Sequence, residues 1–225
     1  MKEIDIATWS RCSQFKHFKE YEAPHFNVVA DVDIGRLLSV CKANNISSYA
    51  AIIYLVSKVS NSIEEFRYRI RGEEVVLHDV VHPSFTVMGK DDTFSYCSAP
   101  FNESPQQFFA VAQQRIDSAR EQPTLDDGND DAHYLYMSCL PWVKFTSVTH
   151  AMRLNPTDSI PRYSWGKYSQ QGDAVMMPLA VISAVHVRRR ALVLISVRWS
   201  HLVSEPAALA RPYGRQPPKI LRWMA

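Results

Sequence analysis

Apolar and polar positions repeat with different periods along this chain, and one stretch departs from both the helical and the alternating pattern. Residues 174–186 are apolar almost without a break, through Val175, Met176, Met177, Leu179, Ala180, Val181, Ile182, Ala184 and Val185. A short run of this kind, rich in β-branched side chains, predicts a strand buried on both faces at the centre of a layered α/β core. A turn-prone segment carrying Gly166, Lys167, Gly172 and Asp173 leads into it, and His186 closes it. A histidine at the end of a buried strand suits an active-site base, but spacing alone favours a hydrogen-bonded core residue.

The remaining pattern alternates between helices and strands. In residues 9–21 (WSRCSQFKHFKEY), Trp9, Cys12, Phe15 and Phe18 fall at helical spacing. Pro24 ends that helix, and residues 26–32 (FNVVADV) read as a strand. Asp33 is placed to cap a helix carrying Ile34, Leu37, Leu38 and Cys41 that stops at Asn44-Asn45. Ser47 or Ser48 caps the next one, whose AAIIYLV run predicts a buried helix. Strands follow at FRYRI, after a turn at Arg71-Gly72 at EEVVLHDVV, then at PSFTVMG and, beyond Lys90-Asp91-Asp92, at TFSYC. Ser104-Pro105 opens a helix with Phe108, Phe109, Val111, Ala112 and Ile116 apolar, ending near Gln122-Pro123. Residues 124–131 (TLDDGNDD) are a solvated acidic loop without the spacing or terminal Glu of an EF-hand. Residues 134–140 and 145–150 read as strands around Pro141-Trp142-Val143-Lys144, with Trp142 expected in the core, and residues 162–168 lead into the apolar run. With no internal repeat and no linker, this predicts one domain with helices packed on a mixed sheet.

Composition narrows the class. The 225 residues are 46% hydrophobic and 21% charged, as in an ordinary globular chain with a sizeable core. No stretch nears the ~18 apolar residues of a membrane span, and the opening MKEIDIATW has no signal-peptide core. The cysteines Cys12, Cys41, Cys97 and Cys139 form no CxxC pair, which predicts reduced thiols, a cytoplasmic location and no metal site. The net charge of +2 hides a break: residues 187–225 hold seven Arg and one Lys against Glu205 alone. That tail also carries Pro206, Pro212, Pro217 and Pro218 and lacks interleaved aromatics or an amphipathic pattern. It reads as a composition break and not as an arm for nucleic acid or membrane.

No GxGxxG, GxxxxGK[ST], HExxH or GxSxG occurs. Five blocks in sequence, however, resemble the type A chloramphenicol acetyltransferases: Trp9-Ser10-Arg11, Glu65-Phe66-Arg67, residues 79–87 (DVVHPSFTV), residues 140–147 (LPWVKFTS) and residues 166–181 (GKYSQQGDAVMMPLAV). The resemblance covers roughly residues 9–186. It implies a two-layer α/β sandwich with a mixed sheet, homotrimeric with active sites at subunit interfaces. It also implies acetyl transfer from acetyl-CoA, as co-substrate, to a hydroxyl of chloramphenicol. Such a transfer needs a neutral imidazole to take the hydroxyl proton and a placed donor for the tetrahedral oxyanion. By the resemblance Ser147 is that donor, Arg11 the cation that pairs with the family's motif aspartate, and Lys167 and Tyr168 stand in the coenzyme A block. Phe18, where the family has an antibiotic-contacting Tyr, and Phe85 are the implied substrate contacts. The domain is then an acetyltransferase-like unit over residues 1–205, with an atypical, poorly ordered tail over 206–225.

The family's His-His-x-x-x-Asp-Gly motif is missing. After His186 the chain runs Val187-Arg188-Arg189-Arg190-Ala191, so His186 stands as the candidate base and Arg11 is expected to face arginines. If Arg188, Arg189 and Arg190 are CGN codons, a shift of frame turns them into a Val-Asp-Gly-like string. That accounts for the basic tail as well. The rival explanation is a diverged relative with another substrate, and the alternative function is a non-catalytic or frameshifted relative that keeps the scaffold and has lost the chemistry.

Overall fold

The computed structural model describes residues 1–89, 92–125, 133–153 and 158–184. The apolar run is strand β10 (Ala174–Ala184), and it lies inside the main sheet. On one side it pairs antiparallel with β2 (His25–Asp33) along its whole length from Met176 to Ala184; on the other, Leu179 to Ile182 pair with β8 (Arg162–Gly166). Neighbours on both edges satisfy its backbone and both its faces are covered from Met177 onward, which is why an unbroken apolar run suits it. The short β9 (Ser169–Gln171) returns as a hairpin onto its start through Gly172, whose φ of 58° is left-handed. Beyond β8 come β7 (Tyr134–Leu140), β5 (His82–Met88) and the edge strand β6 (Phe94–Ser98). β5, β7 and β8 run parallel and the other pairs antiparallel, so the sheet is mixed.

Helices cover one face. α3 (Ser48–Asn61) is buried along its length, and its N-cap Ser47 accepts from the Ala50 amide at 3.4 Å. With α2 (Gly35–Ala43) and α4 (Pro105–Glu121) it closes a core in which Ile52, Ile53 and Val56 meet Tyr163, Trp165, Leu179 and Val181 of the sheet. The Ser60 hydroxyl bonds the Tyr163 hydroxyl at 2.8 Å, satisfying two buried polar groups across the layers. A smaller sheet, β1 (Lys2–Ile4), β4 (Glu74–Leu77) and β3 (Tyr68–Arg71), holds a second cluster. There Phe15 of α1 (Cys12–Phe18), Tyr68 and Val75 pack with Ala184 at the end of β10.

Several boundaries move. α1 is shorter than the 9–21 pattern, because Trp9 packs from outside the helix, tilted on Phe15 and edge-on to Tyr68. The FRYRI strand begins at Tyr68, preceded by a 3₁₀ turn at Glu64–Arg67. Asp33 accepts from the Gly35 amide at 2.9 Å one residue ahead of the helix boundary at Ile34. β1 carries no periodic signal and was not expected. Residues 145–150, expected as a strand, join no ladder; their anchors are side chains, as shown below. The Lys90-Asp91 turn, most of the acidic loop and everything after Ala184, His186 and the basic tail included, lie outside the described residues.

Candidate active site

The LPWVKFTS block leaves the end of β7 and turns at once, with the Val143 amide donating to Leu140 O at 3.1 Å. The Lys167 amide then donates to Val143 O at 2.8 Å, drawing the block against the end of β8. A Cβ on Gly166 would stand 2.5 Å from Val143 O and 2.9 Å from Pro178 Cγ, so this approach requires glycine. The turn buries Phe145 but leaves Trp142 60% and Val143 42% exposed. Trp142 is therefore not the core residue that its size suggested, because the turn aims it away from the sheet.

Past Phe145 the chain crosses the sheet face opposite the helices. Asn27 lies opposite Ile182 and Ser164 opposite Ala180, two positions apart on β10 and so on one face. The Asn27 amide donates to Val148 O at 2.7 Å, and His150 Nε2 lies 2.7 Å from the buried Ser164 hydroxyl. Burial and the Arg162 charge hold the His150 pKa below its ordinary value, which favours the neutral ring. Just ahead of these anchors, Ser147 is exposed and its hydroxyl makes no hydrogen bond among the described residues.

A second group gathers where β10 ends. His25 is opposite Ala184, and its Nε2 donates to Asp158 O at 2.6 Å. The Asp158 carboxylate takes the Arg162 guanidinium in an ion pair about a tenth exposed on each side, and that guanidinium lies 5.3 Å over the Tyr136 ring. Nothing in the local pattern singled out His25, Asp158 or Arg162, which meet through the β2–β10–β8 ladder.

Arg11 Nη2 contacts Glu65 Oε1 at 2.8 Å, each side chain about a fifth exposed. The 3₁₀ turn thus supplies Arg11 with an anion, while the arginines it was expected to face lie outside the described residues. Beside it Tyr68 donates to Glu64, and burial with that carboxylate pushes the phenol up to about 12. Phe18 is half-buried at the end of α1, against His17 and Tyr21. Phe85 is 1% exposed in the main core with Tyr49 across it. That placement corrects its reading as a substrate contact, since the helix layer covers the ring. Lys167 is exposed, and Tyr168 is half-buried with its phenol pushed up to about 12 by burial. Ser147 and Lys167 thus belong to one locked loop pair, Arg11 stands at the start of α1 against the 3₁₀ turn, and His186 lies outside the described residues. Among the described residues no cluster of three His, Cys, Asp or Glu is placed to hold a metal ion, and no helix is long and apolar enough to cross a membrane.

Comparison with known proteins gives a consistent set. A family model described as chloramphenicol acetyltransferase matches residues 1–189. Chloramphenicol acetyltransferases of Klebsiella sp. and Escherichia coli are 30% identical over 179 residues, 79% of this chain and 82% of theirs. A solved chloramphenicol acetyltransferase superposes with a TM-score of 0.83 at 23% identity, over 90% of this chain and all of its own. The Azotobacter vinelandii dihydrolipoamide acetyltransferase superposes at 0.65 and 16% identity, over 88% of each chain. At those identities the superpositions show the fold alone.

Proposed function

Because the chain belongs to the chloramphenicol acetyltransferase family, we propose that it is an acetyl-CoA-dependent enzyme that acetylates a hydroxyl of chloramphenicol. The observation that carries this reading is Ser147: the family-like LPWVKFTS block ends on an exposed hydroxyl with no hydrogen bond among the described residues. A donor so placed is free to meet a ligand oxygen. In the reaction, His186 as the neutral base takes the proton of the acceptor hydroxyl as its oxygen attacks the thioester carbon. Ser147 donates to the oxyanion that forms, and collapse expels the coenzyme A thiolate. Lys167 and Tyr168 are assigned to holding coenzyme A, Phe18 to contacting the antibiotic, and Arg11 to bracing the site. Active sites shared between subunits of a homotrimer in the cytoplasm complete the reading.

A thiol-release assay with acetyl-CoA and chloramphenicol tests it. Turnover is expected to need acceptor and to fall on the order of 10²–10⁴-fold in His186→Ala. Turnover unchanged by that substitution would remove the base assignment.

One observation favours a second reading, a scaffold that has lost the chemistry. Val187-Arg188-Arg189-Arg190-Ala191 stands where the family has its second His and Asp-Gly, and the family match stops at residue 189. On that reading the chain as written is strongly impaired, and a His-Ala-Phe-Val-Asp-Gly segment in place of residues 187–191 restores transfer. Equal rates for the unmodified and repaired chains would refute it.

A further inference from the structure

Ser147 is surrounded by nothing that would hold a loop still by backbone pairing. Residues 145–150 join no strand, and the hydroxyl itself makes no hydrogen bond among the described residues. Yet an oxyanion donor contributes only if it is held where the charge develops, because a donor that must be ordered during the reaction gives back its advantage. The loop must therefore be fixed by something else.

Two side-chain contacts do this, one residue and three residues beyond Ser147. The Asn27 amide nitrogen donates to Val148 O at 2.7 Å from β2, an edge strand of the sheet. His150 Nε2 is 2.7 Å from the hydroxyl of Ser164, a residue 1% exposed on β8. β2 and β8 flank β10, so the loop is fastened on both sides of the buried strand that leads to His186. On the other side of Ser147, Phe145 is buried and Val143 O takes the Lys167 amide. The free hydroxyl thus projects from a segment anchored before and after it.

Resting on the acetyl-transfer reading above, we propose that Asn27 and His150 are positioning residues, a two-point clamp that holds Ser147 in place as the oxyanion donor. The clamp acts through Ser147 and touches no reacting atom. Each contact is a side chain reaching a group far away in sequence, 121 residues for Asn27 to Val148. Neither residue lies in a block that carries the family resemblance.

The substitutions are chosen to keep shape. Asn27→Asp has the same size but presents a carboxylate to Val148 O, and His150→Phe keeps a ring without nitrogen. Steady-state rates with acetyl-CoA and chloramphenicol are measured for each in the wild-type and Ser147→Ala backgrounds. Each clamp variant is expected to lower kcat on the order of 10-fold, short of the ~10²–10³-fold of losing an oxyanion donor outright, with KM within about twofold. In the Ser147→Ala background the same substitutions should cost less than about twofold, since the group they position is gone. His150→Gln, which keeps a polar terminus toward Ser164, should recover part of the rate. Equal losses in both backgrounds would overturn the proposal, because a merely structural role lowers both alike.

Amide hydrogen exchange over residues 145–150 keeps the two readings apart. If the wild-type chain transfers no acetyl group, the function assignment fails. Faster exchange in Asn27→Asp and His150→Phe then still supports the clamp, and unchanged exchange refutes it.

Discussion

Arg11 reaches across 54 residues of sequence to Glu65, with Nη2 and Oε1 2.8 Å apart and each side chain about a fifth exposed. The pair ties α1 to the 3₁₀ turn ahead of β3, beside the end of β10. A partly screened, charge-assisted contact of this kind contributes about 1 kcal/mol. Glu65→Gln and Arg11→Met are expected to cost that much each and clearly less than additively together. Urea unfolding of the double-mutant cycle measures the coupling, and strict additivity would show that the contact contributes nothing.

Gly166, at the end of β8, is where the LPWVKFTS turn makes its closest approach. An added methyl would have to displace Val143 O, Pro178 and Phe145, which converge within 3.0 Å of it, and at least one of these is backbone. Gly166→Ala should therefore destabilise by about 1–3 kcal/mol. It should also move the loop that carries Ser147, visible as altered Trp142 fluorescence. A variant with unchanged melting and emission would show that the close approach is dispensable.

Asp158 and Arg162 are about nine-tenths buried as a pair. Removing one partner strands a charge, so Asp158→Ala should cost ~3–5 kcal/mol. Replacing both, with Arg162→Met against Tyr136, should recover most of that, because an apolar pair needs no solvation. Thermal melts of the three variants decide it: a double variant as weak as the single would contradict the argument.

His78 lies 8% exposed in the link between β4 and β5, and its pKa is pushed down to about 4, by burial first and then by Arg69, Arg71 and His133. The unfolded chain takes up this proton below the ordinary histidine range near 6.5, while the folded chain resists it until near 4. Stability is therefore full above that range and is lost as pH falls from about 6.5 toward about 4, by at most ~1.4 kcal/mol per pH unit from this group. Burial lowers His82 as well, with the same sign. Urea midpoints taken at about pH 7 and about pH 5 should differ less in His78→Gln than in the parent chain. An identical acid loss in both would remove His78 from the account.

Some of this was legible along the chain because the relevant physics is local. The run 174–186 announced β10, since a strand covered on both faces needs an apolar side chain at nearly every position. Ser47 or Ser48, of which the structure takes Ser47, and Ser104-Pro105 marked two helix starts, and the 134–140 strand was found to the residue. The LPWVKFTS and GKYSQQGDAVMMPLAV blocks, taken together, pointed to the family before any fold was seen. Residues 145–150 misled because residue types that favour a strand do not say whether a partner edge is there. Here residues 145–150 pair with no strand, and an asparagine 121 residues away takes the bond of Val148 instead. Trp142 and Phe85 exchanged their expected places for a similar reason: size favours burial, but the Gly166 contact and the helix layer decide which ring is covered. Local sequence carries periodicity, caps and motifs. The pairings Arg11–Glu65, His25–Asp158 and Asn27–Val148 arise only when folding brings distant segments side by side, so the tertiary structure alone decided how the loop that carries Ser147 is held.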